Sequence, residues 1–404
     1  MARSRPPWNR PAAGLAMALA ACAVSARPAA SQGALGLWEA RPGPLVADIR
    51  AGIDAAYDFD YGEALLRFDR VVAARPDHPV GYFLRAEAYW WQYLNDRRNA
   101  RVERLLEQNL GLAIDRGKAR LERDEGDAEA LFVLGSAYGR RGMLAGTHKE
   151  AWQAASDARK AKKYLGRLRE VAPDIVDAVA ADGLYRYYVS RFGAVARTAS
   201  RLLFGLKGSR EEGLAYLDRA RREGSYTRTE AAFFQGLFYL QFENRPAEAG
   251  KILDGLRARY PHNPYFATMA AYARQKQGQF PEARRLYEAT LEQLSAGGVY
   301  GREGVSLTRY FYGQTLLALG DLAGAEREFR TVAGLGAVES DAFPHAHIFL
   351  GRIADLRGDR TAAETAYRQA LALPDAADSH AVARRLLESP FTRGQLGSVV
   401  GGGK

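Results

Sequence analysis

Between Pro264 and Pro374 a small residue is followed twelve positions later by alanine, and four positions after that by a large ring, three times over. The triplets are Ala271, Ala283 and Tyr287; Gly313, Ala325 and Phe329; and Gly351, Ala363 and Tyr367. Offsets this constant require two helices that cross at small residues. Each copy is then a hairpin whose apolar face must be covered by the next. Such chains lengthen by stacking, so 404 residues do not force a second conventional core. The first copy begins near Leu45, where Gly52, Ala64 and Phe68 keep the same offsets and Pro76 ends the second helix. In the turn of that copy, Asp58 and Asp60 read as helix caps. The spacing predicts an all-α, helical-hairpin repeat solenoid with an irregular central section.

The order of the chain fills in this frame. Val80 to Tyr93 carries Tyr82, Phe83, Tyr89, Trp90, Trp91 and Tyr93, more rings than one hairpin face needs. A long charged helix, about Asn99 to Arg123, then replaces the usual short second helix. Leu131, Leu134, Gly135 and Tyr138 restore the first-helix pattern, and Ala151 to Arg169 is an amphipathic helix with a basic face of Lys160, Lys162, Lys163, Arg167 and Arg169. That face reads as a solvated surface, or alternatively as a contact for glycan or anionic lipid. Gly183 to Gly213 is the least regular stretch, with an aromatic helix from Leu184 to Phe192 and a break at Gly205 and Gly208. Ala231 to Phe242 is strongly apolar, but its twelve residues are too few to span a membrane. His380 to Ser389 reads as a capping helix. The expected organisation is a signal segment over 1–21, a tether over 22–44, an irregular helical section over 45–225, a regular section over 226–390, and a flexible tail over 391–404.

The pattern of a small eighth residue, alanine at the twentieth, a ring at the twenty-fourth and proline near the thirty-second, over about 34 residues, resembles tetratricopeptide repeats. The resemblance implies a right-handed superhelix whose concave wall comes from first helices. Carried over position by position, that wall is Phe83, Trp90, Trp91, Phe132, Phe233, Tyr265, Tyr272, Tyr310 and Arg352, a set of rings with polar neighbours suited to a protein or peptide partner. The Lys and Asn pattern with which cochaperones grip a terminal carboxylate is absent. The weak centre, Leu203 to Leu214 with Arg259, Tyr260 and Pro261, is similar to the inclusion-body-clearance family that includes tetratricopeptide repeat protein 39. Only architecture follows from that likeness.

Arg3, Arg5 and Arg10 precede a short apolar run from Pro11 to Ala21, the layout of a secretory signal. Its end, Leu19-Ala20-Ala21-Cys22, resembles the lipobox of bacterial lipoproteins and implies cleavage before Cys22 and acylation there; an ordinary signal cleaved a few residues later is the alternative. The expected location is periplasmic, anchored at the outer membrane by lipid on Cys22. Without the three signal arginines the chain keeps 54 basic against 47 acidic side chains, which suits an anionic surface and is equally explained by solubility. Nucleic acid is not an expected partner.

Cys22 is the one cysteine, which excludes an intrachain disulfide and any Cys-rich metal site. His345 and His347 form an H-x-H pair without supporting carboxylate spacing, and no H-E-x-x-H or G-x-S-x-G occurs. Gly111 to Lys118 has the wrong glycine spacing for a phosphate loop. No catalytic residue, metal or cofactor is therefore expected. The sequence points to a non-enzymatic scaffold for protein partners at the bacterial envelope, with a glycan- or lipid-associated protein second and a cryptic hydrolase third.

Overall fold

The computed structural model describes residues 35–39, 43–191, 208–296, 302–335 and 342–399. The expected signal segment, Cys22, most of the expected tether, Phe192 and Gly205 of the irregular stretch, and the last residues of the expected tail lie outside them. Among the described residues the regular structure is helical throughout. The described residues fall into two compact units, divided between Gln235 and Gly236.

The N-terminal unit is a run of hairpins: α1 (Pro44–Tyr57) with α2 (Tyr61–Ala74), α3 (Pro79–Asn95) with α4 (Ala100–Arg123), α5 (Ala128–Thr147) with α6 (Ala151–Val171), and α7 (Asp177–Ser190) with α8 (Arg210–Glu223). The helix α9 (Arg228–Gln241) carries the division between the units. That division falls between Gln235 and Gly236 rather than at the expected 225/226. The physical reason is that Tyr226, Thr227 and Glu230 are tied by hydrogen bonds and an ion pair to α7 and α5. Within this unit first helices also touch first helices, α1 with α3 and α3 with α5. The α7–α8 pair shows that the irregular centre still makes a close hairpin.

The C-terminal unit continues with α10 (Pro246–Arg259), α11 (Pro264–Lys276), α12 (Phe280–Ala296), α13 (Arg302–Ala318), α14 (Leu322–Gly334), α15 (Ala342–Leu356), α16 (Arg360–Leu371) and α17 (Ser379–Glu388). Each neighbour in this series packs on the next. The segment expected as a free tail begins instead with a buried Phe391 in the last core cluster, followed by a 3-10 turn and the short α18 (Leu396–Val399). Phe391 is apolar and its N–H donates to the Asp355 carboxylate at 2.8 Å, which holds the segment down.

The recurring spacing now has a structural cause. The ring sixteen residues after each glycine lies directly over it. A Cβ added at Gly52 would stand 2.5 Å from the Phe68 ring, and one at Gly313 would stand 2.8 Å from Phe329. Glycine at these points costs about 1 kcal/mol of helix propensity and is repaid by the close approach it permits. Helix starts are equally local. Proline opens α1, α3, α10 and α11, where its missing N–H is not needed. Asp60, Asp321 and Asp359 cap α2, α14 and α16 by accepting a backbone N–H three residues on. Of the two aspartates in the first turn, Asp58 is the C-cap residue of α1, through its backbone N–H, and Asp60 caps the start of α2 with its side chain.

Candidate functional site

The N-terminal unit holds a pocket of about 230 Å³, bounded mainly by first helices. Its wall repeats at helical spacing: Tyr57 on α1; Phe83, Glu87 and Trp91 on α3; Phe132, Ser136 and Arg140 on α5; Leu184 and Tyr188 on α7; Glu230 and Phe234 on α9. Side chains four apart on one helix share a face. Successive hairpins therefore turn the same face of their first helices toward one space. Apolar atoms dominate it, as in sites for organic ligands and side chains.

One charged group crosses this apolar wall. Arg140 donates from Nε and Nη2 to the two carboxylate oxygens of Glu87 at 2.7 and 2.5 Å, and Nη2 also reaches Glu230 Oε1 at 3.3 Å. The guanidinium lies 4.9 Å over the Trp90 ring. Burial pushes the Glu87 carboxyl above its ordinary range and the nearby Glu230 adds to this, while Arg140 opposes both. The two carboxylates in turn hold the Arg140 guanidinium firmly protonated despite its burial. Burial also raises the Tyr188 phenol to about 12.

At one side of the pocket lies a segment of the expected tether. Leu35 and Leu37 donate backbone N–H groups to Glu129 at 2.8 and 2.9 Å, beside His78 at 2.9 Å from the same carboxylate. Trp38 packs edge-on against Phe132 at 5.3 Å and donates its indole N–H to Asp177 at 2.8 Å. The Tyr226 hydroxyl donates to the Leu37 carbonyl at 2.6 Å. Residues 35–39 are thus a docked strap and not a free tether; Leu37 itself is buried and lines the pocket. Burial would raise the Glu129 carboxyl, but the hydrogen bonds from His78, Leu35 and Leu37 hold it below its ordinary range.

The expected wall residues divide. Phe83, Trp91 and Phe132 come together in the pocket. Phe233 meets the edge of Trp91 at 6.4 Å, and Trp90 stacks on Tyr93 at 5.9 Å behind the wall. In the C-terminal unit, Tyr265 is half-buried at the start of α11. Tyr272 is stacked on Phe311 at 4.4 Å, and Tyr310 packs edge-on against Phe329 and Phe349; both are core residues rather than wall. Arg352 is buried as well, its guanidinium 4.8 Å over Phe349 and 5.3 Å over Phe391.

The basic face of α6 is largely engaged within the unit. Lys160 pairs with Asp157 at 3.6 Å, Lys163 lies 5.9 Å over the Tyr164 ring, Arg167 donates to the Glu125 carbonyl at 2.7 Å, and Arg169 pairs with Asp182. Burial, with a contribution from Arg169, lowers the Lys162 pKa. His345 faces the carbonyls of Ala376 and Ala377, and His347 faces Gln369. Among the described residues no cluster of metal-ligating side chains occurs, and no helix is long and apolar enough to cross a membrane.

Sequence reasoning missed Tyr57, Glu87, Arg140, Tyr188 and Glu230. Glu87 lies four residues from both Phe83 and Trp91, and Arg140 lies eight from Phe132, so extending the first-helix stripe by full turns would have found them.

Residues 268–337 and 313–381 match the tetratricopeptide repeat model. No curated protein matches the chain significantly. Solved structures resemble it loosely. The type IV pilus biogenesis factor PilW shares 16% identity at a TM-score of 0.40, over 63% of this chain and 98% of its own. A tetratricopeptide repeat protein from Parabacteroides merdae shares 13% identity at a TM-score of 0.43, over 74% of this chain and 98% of its own. A human IFIT1 dimer with m7Gppp-AAAA shares 13% identity at a TM-score of 0.49, over 86% of this chain and 81% of its own.

Proposed function

With residues 268–381 as tetratricopeptide repeats, we propose that the chain is a non-enzymatic scaffold that binds a segment of a protein partner in the pocket of its N-terminal unit. One observation carries this reading: first helices of successive hairpins aim Phe83, Trp91, Phe132 and Tyr188 into one space, beside a site where the chain already holds a short extended segment of its own. The strap supports this reading. Buried carboxylates take backbone and indole N–H groups, and rings take the side chains. Repeat stacks use such surfaces for partners, and rings give large contact area at low entropy cost.

The scaffold is proposed to work at the bacterial envelope, lipid-anchored through Cys22. This part rests on the basic and apolar N-terminal run and on the lipobox-like Leu19-Ala20-Ala21-Cys22. Incorporation of labelled palmitate, compared with Cys22→Ser, tests the anchor; equal label in both chains rules it out. The binding reading is tested by capture with the full chain, alongside Ser136→Tyr, which fills the pocket, and Arg330→Ala on the exposed face of α14. A partner held by the unaltered chain and by Arg330→Ala but lost with Ser136→Tyr supports it. Equal capture by all three removes the pocket from the account.

A further inference from the structure

We propose that this pocket selects a single positive charge on an apolar stem, that is, an alkylammonium group. The inference rests on the pocket being the binding site proposed above and adds the chemistry of what enters it. The first step is a charge count. Around Arg140, Glu87 and Glu230 bring two negative charges against its one positive, so this group of the wall carries one negative charge in excess. Asp177 also borders the pocket, but its carboxylate already accepts hydrogen bonds from the Trp38 indole, the Ser225, Tyr226 and Thr227 amides and the Thr227 hydroxyl.

The second step is which group has capacity left. Glu87 spends both oxygens on Arg140. Glu230 has a single long contact of 3.3 Å, from one oxygen, and its other oxygen takes no hydrogen bond among the described residues. The Glu230 side chain is 26% exposed and shares Arg140 with Glu87, so an incoming ammonium replaces water at the open oxygen with a charge-assisted hydrogen bond. Arg140 offers an anion little in return, because its guanidinium is clamped by Glu87 and lies against the Trp90 ring. A carboxylate ligand would meet net repulsion, and the Arg140 nitrogen left over, Nη1, is turned to the Met143 sulfur at 3.5 Å.

The third step is the lining. Tyr57 and Trp91, 5.6 Å apart, and Tyr188 give aromatic surface, which attracts organic cations and accepts a methylene stem. A cavity of about 230 Å³ is many times the roughly 10–15 Å³ that one water molecule requires, so it admits a short alkyl stem with its ammonium group. Such a group is carried by a lysine side chain or a short free amine, two sources of the same chemistry.

Binding to the full chain is measured by titration calorimetry with n-hexylammonium, 1-hexanol and hexanoate, which share one stem and differ in charge. Capped tripeptides Ala-Lys-Ala and Ala-norleucine-Ala form the second pair. The expected result is hexylammonium tighter than hexanol by tenfold or more, with hexanoate weakest, and loss of the preference in Glu230→Gln. A lysine peptide tighter than hexylammonium assigns the source to a partner side chain; the reverse assigns it to a free amine. Equal binding of hexanol and hexylammonium, an unchanged preference in Glu230→Gln, or no binding by any probe overturns the inference. The scaffold reading fails separately, by equal partner capture with and without Ser136→Tyr.

Discussion

Gly351→Ala sets two physical effects against each other at one atom. Alanine gains about 1 kcal/mol over glycine inside an isolated helix. Here, however, the new Cβ would lie 2.7 Å from Tyr367 Cδ1 and 2.8 Å from Cζ, and closer still to Cε1. Carbon atoms pack comfortably at about 3.5–4.0 Å, so the ring must retreat by roughly 1 Å. It has little room to do so. Tyr367 is fully buried among Ile348, Ala363 and Ala370, and its hydroxyl donates to Asp355 Oδ2 at 2.8 Å. Overpacking of this kind costs about 1–3 kcal/mol, and loss of the hydroxyl bond adds about 1 kcal/mol. The net expectation is destabilisation of about 1–3 kcal/mol. Gly255, inside α10 of the same unit, is the internal control: a Cβ there meets nothing within 4 Å, so Gly255→Ala should stabilise by about 0.5–1 kcal/mol. Hydrogen exchange read on peptides spanning residues 342–371 and 246–276 in the full chain separates the two sites without assuming two-state unfolding. Faster exchange in Gly351→Ala, partly restored by adding Tyr367→Leu, is the predicted pattern. Slower exchange in both alanine variants would refute the claim that the repeat spacing records helix contact.

Three further outcomes follow from the charged groups. Burial lowers the His345 pKa from 6.5 to about 4, so the folded unit excludes a proton that the unfolded chain binds. The stability this neutral ring allows is intact above pH 6.5 and declines to about 3 kcal/mol less at pH 4; His345→Asn should flatten that part of the denaturation profile. Glu129, depressed by its donors, should hold the strap at neutral pH and release it as pH falls below 4.5 through its folded pKa, so exchange of the Leu35 and Leu37 amides should rise there and rise at all pH values in Glu129→Ala. Arg140→Met strands Glu87 and Glu230 and should cost about 3–5 kcal/mol in the N-terminal unit by urea denaturation, with partial recovery in Arg140→Met/Glu87→Leu.

How much of this was legible in the sequence follows from the range of the interactions. Hairpins were readable because a glycine and the ring sixteen residues later meet within one unit, and because aspartate caps and proline starts act within one turn. The long α4 and the basic α6 were equally local. Periodicity names the face of a helix but not what covers it, which is why Tyr272 and Tyr310 pass for wall residues in the sequence and are core in the fold. The strap was hidden in a stretch rich in Ala, Pro and Gly. Its one signal was the apolar trio Leu35, Leu37 and Trp38, and its partners Glu129 and Asp177 lie more than ninety positions away. The Glu87, Arg140 and Glu230 group is likewise spread over three helices, at separations of 53 and 90 residues, and no local pattern marks those three among the many charged side chains.

The central claim is that a partner enters the pocket between first helices of the N-terminal unit. The most direct measurement places the photo-crosslinking residue benzoylphenylalanine at Ser136, on the pocket wall, and in a second chain at Arg330, on an exposed face of α14, each in the full protein inside the cells that make it. The account predicts a discrete crosslinked protein from position 136, lost when Trp91→Ala is added, and none of that product from position 330. The same product from both positions, or from position 136 regardless of Trp91, would contradict it.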